Sequence, residues 1–269
     1  MTTSQGDSPW SLTTSAATKE APISITNLHR AVQHSKPLTV RKILNSRHGV
    51  VDVLNHAGTS PLMQAAVKGD SQMVGLLLSA GADVNIGAWG TGRTALMLAC
   101  YNGHVDIAQQ LREKGALWEV KDRFGCTALH YAVEGSQLEA VLFALGDGAD
   151  IEATDSQQWT PLMNGIVVET PSRILQVLIQ RGASVNAVDS RGVTCLMHAV
   201  LADRADVVKL LLDSGADPTH SNDYQNTALG MARAREKKDI VRLLTPSTQG
   251  SKEEKKKHSL HRVSIQDLK

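Results

Sequence analysis

Thr94-Ala95-Leu96-Met97-Leu98-Ala99-Cys100-Tyr101-Asn102-Gly103-His104 decides the fold, because its opening four residues recur along the chain. They return as Thr26-Asn27-Leu28-His29, Ser60-Pro61-Leu62-Met63, Thr127-Ala128-Leu129-His130, Thr160-Pro161-Leu162-Met163, Thr194-Cys195-Leu196-Met197 and Thr227-Ala228-Leu229-Gly230. The steps between the leading Thr or Ser residues are 34, 34, 33, 33, 34 and 33 residues. Five positions after each stands Ala31, Ala65, Ala99, Ala132, Ala199 or Ala232, and only Gly165 breaks that column. A second motif keeps the same phase: Gly81-Ala82-Asp83, Gly115-Ala116, Gly148-Ala149-Asp150, Gly182-Ala183-Ser184 and Gly215-Ala216-Asp217. Self-similarity at this period marks a stack of small repeats, each burying its apolar face against the next.

Each recurring residue has a physical task. The Thr or Ser hydroxyl caps a helix N-terminus. Pro61 and Pro161 stand at the first helical position, where a missing N–H costs little. The alanines let the first helix of each repeat approach its neighbours, and Gly69 and Gly103 end that helix in a left-handed conformation. The second helix buries apolar runs such as Val74 to Leu78 and Val207 to Leu212, then stops at Gly81 or Gly215. About a dozen residues then turn back toward the next helix pair.

On these two motifs the chain resembles the ankyrin-repeat family over roughly residues 24–245. The resemblance implies an all-α ankyrin-repeat solenoid of about seven helix-turn-helix repeats, with β-turn fingers on one side. Residues 23–246 form the expected ankyrin-repeat domain, preceded by a disordered N-terminal segment at 1–22 and followed by a disordered polar and basic tail at 247–269. Two peptides, Leu96 to His104 and Trp118-Glu119-Val120-Lys121-Asp122 with Gly125 to His130, are similar to a family that joins a fibronectin type III domain to ankyrin repeats. That family is associated with male germ cells, nucleus and cytosol, and transcriptional regulation. The first 22 residues are too few for such a domain, which takes roughly 100 residues in a β-sandwich.

Several positions depart from the family pattern. Its usual His after the first-motif Leu remains only at His29 and His130, with Met63, Met97, Met163 and Met197 in its place, and Met is expected to fill space without the hydrogen bond. The fifth repeat carries Gly165, then Ile166, Val167 and Val168, all of which oppose a helix. Thr170-Pro171 reads as the cap and first position of its second helix, and one extra residue precedes Gly182. This layer is expected to be the weakest, and Gly165→Ala is expected to stabilise it.

Composition excludes other classes. Aromatics are 3% against 42% hydrophobic residues, which suits thin helical layers better than an enzyme pocket. Net charge is +1, so no strong pull toward nucleic acid or membrane exists. Met1 to Glu20 lacks an apolar core for a signal peptide, and no run reaches membrane-spanning length. Cys100, Cys126 and Cys195 read as reduced, unbridged thiols. Cys126 with His130, near Cys100 and His104, fits no zinc spacing, and both histidines fall at repeat positions. Gly87 to Gly92 is glycine-rich but lacks the Lys of a phosphate-binding loop. The expectation is a monomer with no enzymatic activity, cofactor or metal, resident in cytoplasm, nucleus or both.

Binding is the function that remains. The resemblance implies contacts through the fingers and the inward face of the first helices. Candidate residues are Arg123, Phe124, Gln157, Trp159, Arg191 and Tyr224 on fingers, and Lys68 and Tyr101 at the ends of first helices. Trp, Tyr and Arg dominate interface energetics. Phe124 and Trp159 are expected on adjacent fingers on the order of 10 Å apart, without a packing role. A non-catalytic adaptor or regulator for an unidentified protein partner is the main expectation. The alternative is a nuclear transcription regulator, with Lys255 to Lys257 as an import signal.

Overall fold

The computed structural model describes residues 23–46 and 51–245. Within them fourteen helices follow one another as seven pairs, from α1 (Ile23–Gln33) and α2 (Pro37–Ser46) to α13 (Ala228–Ala234) and α14 (Lys238–Leu244). The first helices of the intervening pairs are α3 (Pro61–Lys68), α5 (Ala95–Tyr101), α7 (Ala128–Glu134), α9 (Pro161–Val167) and α11 (Cys195–Leu201). The second helices are α4 (Ser71–Ser79), α6 (Val105–Glu113), α8 (Leu138–Gly146), α10 (Ser172–Gln180) and α12 (Ala205–Asp213). First helices pack on first helices and second on second, so the core runs as a continuous seam through the stack. Among the described residues no strand forms; two isolated bridges, Val188 with Thr194 and Ser221 with Thr227, close the hairpins of two fingers.

The motif residues act as their chemistry predicts. The hydroxyls of Ser60, Thr94, Thr160, Thr194 and Thr227 accept the N–H three residues on, at 3.1–3.4 Å. Leu62, Leu96, Leu129, Leu162 and Leu196 are all buried to 1% exposure. Each such burial stabilises by about 1.5–3 kcal/mol relative to an exposed side chain. Leu229, in the last layer, is only partly buried, as an end repeat requires.

Two expectations about the repeat motif change. Thr26 lies inside α1 rather than capping it, because that helix begins three residues earlier. Two of the four methionines do make a capping bond: the thioethers of Met63 and Met97 accept the N–H of Ser60 and Thr94 at 3.4 and 3.3 Å. What they lack is the second ring nitrogen of His130, which reaches the carbonyl of Trp159 in the next finger at 3.1 Å.

The fifth repeat differs most from expectation. Helix α9 has seven residues, like α5, α7 and α11. A Cβ on Gly165 would stand 2.6 Å from Val133 Cγ1 and 2.8 Å from Leu175 Cδ2. Glycine is there because two helices close on it. Thr170 is not a helix cap: it is fully buried, and its hydroxyl donates to the carbonyl of Val133 one repeat back at 2.9 Å. The extra residue is Pro171, which takes the N-cap of α10 without a side-chain cap bond. Residues 1–22 and 247–269, expected to be disordered, lie outside the described residues.

Candidate functional site

The fingers are built by a column of residues absent from the sequence expectations: Asn55, Asp122, Asp155, Asp189 and Asn222. Each side chain accepts two backbone N–H groups of its own turn, those of residues two and four positions on, at 2.8–3.1 Å. Such a turn uses the short polar side chain as a stand-in for backbone. The second finger lacks the column. Its turn closes instead between Ala88 and Arg93, with one more residue inside, and Trp89 projects from it.

Backbone bonds lace the fingers together. Trp89 N–H donates to Gly58 O at 2.7 Å, Arg123 to Thr91 at 2.9 Å, Ser156 to Phe124 at 2.8 Å, Ser190 to Gln157 at 3.1 Å and Asp223 to Arg191 at 3.2 Å. Adjacent fingertips are therefore in direct hydrogen-bonding contact, closer than the roughly 10 Å expected from helix-layer widths. Phe124, Gln157, Arg191 and Tyr224 occupy equivalent rungs, and all four side chains are exposed. Exposure is 60% for Phe124 and 67% for Tyr224, and Trp89 reaches 75%. Arg123 stands next to Phe124, also exposed.

The other nominated residues lie off this row. Trp159 sits two residues beyond the Gln157 rung and turns inward. It packs against the core, its Nε1–H donates to Asp189 Oδ2 at 3.3 Å, and its ring meets His198 edge-on with centroids 5.1 Å apart. This is a structural cluster, and Phe124 and Trp159 do not form an exposed pair. Lys68 is exposed, but its ammonium donates to Gln33 O and Ser35 Oγ, both at 2.8 Å, and so ties the second repeat to the first. Tyr101 is 42% exposed with its ring edge-on to Tyr131 at 6.3 Å. The Tyr131 hydroxyl donates to Asp122 at 2.6 Å and accepts from Arg93 Nε at 2.7 Å, which carries the finger frame onto the first-helix face.

The titratable groups are arranged for structure. Burial pushes the Cys100, Cys126 and Cys195 thiols up to about 12, so they stay protonated and poorly nucleophilic near neutral pH. Burial holds His130 and His198 below their usual range, against the pull of the Trp159 carbonyl on one and Asp189 on the other. Both ring nitrogens of His130 are engaged, one with the N–H of Thr127 and one with Trp159 O. Burial raises the Asp189 carboxyl, but the N–H groups of Val193 and Arg191, the Trp159 indole and His198 outweigh it and hold it low. Among the described residues no group of three or more His, Cys, Asp or Glu is placed to hold a metal.

Comparison with known proteins matches this geometry. A family model for ankyrin repeats (3 copies) matches in overlapping windows from residue 28 to residue 257. The chain belongs to the ankyrin-repeat family, whose fold is a protein–protein interaction module and is typically non-catalytic. It is similar to the B-cell lymphoma 3 protein homolog of Mus musculus, with 34% identity over 243 residues, covering 87% of this chain and 54% of that protein. It is also similar to the palmitoyltransferase AKR1 of Lachancea kluyveri, at 29% identity over 72% of this chain and 27% of the other. The chain thus spans about half or less of the length of these relatives. Among solved structures, the ankyrin repeat domain of Bcl-3, a member of the IkappaB protein family, superposes with a TM-score of 0.70 at 31% identity, covering 81% of this chain and 97% of the other. The human ASB11 ankyrin repeat domain superposes with a TM-score of 0.70 at 25% identity, covering 84% and 96%. No helix among the described residues is long and apolar enough to cross a membrane.

Proposed function

We propose that this chain is a non-catalytic adaptor or regulator that takes a protein partner along its fingertips. The observation that carries the reading is the row Phe124, Gln157, Arg191 and Tyr224, four exposed side chains on successive hydrogen-bonded rungs. Laced turns hold that row rigid, so little side-chain or loop ordering opposes binding. Aromatic residues and Arg are the types that anchor interfaces, and Arg123 and Arg191 favour a segment with acidic groups at its rim. Trp89, on the neighbouring second finger, extends the same surface, and Tyr101 lies behind it on the first-helix face. The module acts as a monomer in cytoplasm, nucleus or both, without a cofactor and without direct contact to nucleic acid or membrane.

The test is quantitative partner capture by the full chain carrying Phe124→Ala with Arg191→Ala. Capture is expected to weaken tenfold or more, about 1.4 kcal/mol, with melting unchanged. Unchanged capture would place the partner elsewhere and sink this reading. A second reading, a nuclear transcription regulator, rests on the resemblance of the Leu96 to His104 peptide and on Lys255 to Lys257, which lie outside the described residues. Imaging the chain with and without residues 247–269 separates the two: nuclear accumulation that depends on the tail favours the second.

A further inference from the structure

The first helix pair carries only positive charge. Residues 23–46 contain Arg30, Lys36, Arg41 and Lys42 and no Asp or Glu. Residues 51–245 hold 22 Asp and Glu against 16 Lys and Arg. A cavity of about 280 Å³, open to solvent, lies between α1 and α2 at this end, lined by Asn27, Arg30, His34, Lys36, Thr39 and Ile43. Arg30 lies in the last turn of α1, His34 follows directly after that helix, Lys36 stands in the joint, and Thr39 lies in the first turn of α2. Among the described residues none of Arg30, His34 and Lys36 is in an ion pair. Asp70, the acid that touches this repeat, is already held by the Ser35 hydroxyl and the Met73 N–H.

We propose that this cavity binds a single phosphate group carried by a partner polypeptide. A guanidinium offers paired donors that match phosphate oxygens, an ammonium adds a point charge, and a His N–H and a Thr hydroxyl complete the donor set. Lys36 and Thr39, which flank the N-terminus of the ten-residue α2, line this space, so the positive end of that helix lies beside it. The volume lies just below the roughly 300–1,000 Å³ of pockets that enclose a whole small molecule, so it suits a side-chain phosphate. A nucleic acid needs a row of cations to follow its backbone, and here the cations give way to an acidic body within one repeat. The site stands apart from the fingertip row and does not depend on it.

The test is amide NMR titration of the full chain with acetyl-Ala-phosphoserine-Ala-amide, its unphosphorylated counterpart, and phosphatidylcholine vesicles carrying an inositol phosphate lipid. The phosphorylated tripeptide is expected to shift α1 and α2 amides saturably, while the unphosphorylated one does not. Arg30→Gln with Lys36→Gln should weaken that binding at least tenfold, and Lys209→Gln, on α12, should leave it unchanged. If the double variant unfolds, Thr39→Ala with His34→Ala replaces it, with weakening of severalfold expected. Absent shifts, or shifts indifferent to these variants, would overturn the proposal. Vesicle binding lost in the variants without any response to the tripeptide would overturn it in favour of a membrane surface.

Discussion

Val133 Cγ1 stands 2.6 Å from the point that a Cβ on Gly165 would occupy, with Leu175 Cδ2 only slightly farther away at 2.8 Å. Both obstacles are fully buried, so neither can swing into solvent. Helix propensity favours Ala over Gly by about 1 kcal/mol. Overpacking a tight site costs about 1–3 kcal/mol. Packing therefore wins, and Gly165→Ala is expected to lower stability by about 1 kcal/mol in urea unfolding. Adding Val133→Ala should give a loss smaller than the sum of the two single losses, because the second change opens the space the first needs. A Gly165→Ala chain more stable than the parent would mean that α7 and α10 yield at this point.

The two finger aromatics are expected to part company on substitution. Trp159→Ala removes a half-buried ring, its bond to Asp189 and its contact with His198, and should cost about 2 kcal/mol. Phe124→Ala removes an exposed ring and should stay within about 0.5 kcal/mol of the parent. Thermal melting of the two single variants decides it. Equal melting would show that the Trp159 cluster contributes nothing to the layer.

Glu169 holds a left-handed backbone at φ 60, the place where Gly69 and Gly103 stand at φ 75 in earlier repeats. Left-handed φ costs a side-chain-bearing residue about 1–2 kcal/mol. Glycine removes that strain but gives back about 0.5–1 kcal/mol of unfolded-state entropy. Glu169→Gly should therefore raise stability by up to about 1 kcal/mol. A lower denaturant midpoint would show that the Glu169 side chain makes a contact worth more than the strain.

The repeat phase was readable because the Thr, Leu and Ala columns do local work, capping one helix and packing its inner face. The column Asn55, Asp122, Asp155, Asp189 and Asn222 keeps the same phase, with a gap at the second finger, and its step from Asp122 onward would have revealed it. Its backbone bonds stay within its own turn, so it leaves no mark on helix patterning, while the further bonds of Asp122 to Tyr131 and of Asp189 to Trp159 and His198 are set by tertiary packing. Trp159 and Gly165 could not be read in this way. The direction of one ring is set by Asp189, thirty residues away in the next finger, and the need for glycine at the other by Val133 and Leu175 on two different helices. Phe124, Gln157, Arg191 and Tyr224 were recognisable as finger residues. Their alignment in one row emerged only with the backbone bonds between fingers.

Acidification should weaken the stack through His130 and His198. Both are held below the usual value of 6.5, first of all by burial. The native state therefore resists protons that the unfolded chain accepts below pH 6.5. Their contribution is complete above that pH, declines as pH falls toward the depressed native values, and then levels off. The surrounding charges do not reverse this. Asp155 and Asp122 favour the charged form of His130 while Lys121 opposes it, and for His198 Asp189 favours it while Arg191 opposes it, yet burial wins at both. Asp189 itself is held low, so its own losses fall below the ordinary carboxylate value of 3.8, outside the window from pH 7 to pH 5. His130→Met supplies the control, because Met63 and Met97 already serve at that position. It keeps a thioether acceptor for the Thr127 N–H and gives up the bond to Trp159 O, a loss of about 1 kcal/mol at pH 7. It should also remove part of the pH dependence, so the gap between parent and variant should narrow as pH falls from 7 to 5. Urea unfolding across that range measures both. A constant gap would mean that His130 titrates alike in the folded and unfolded chain, and a widening gap that folding favours its charged form; either would show that burial does not control it.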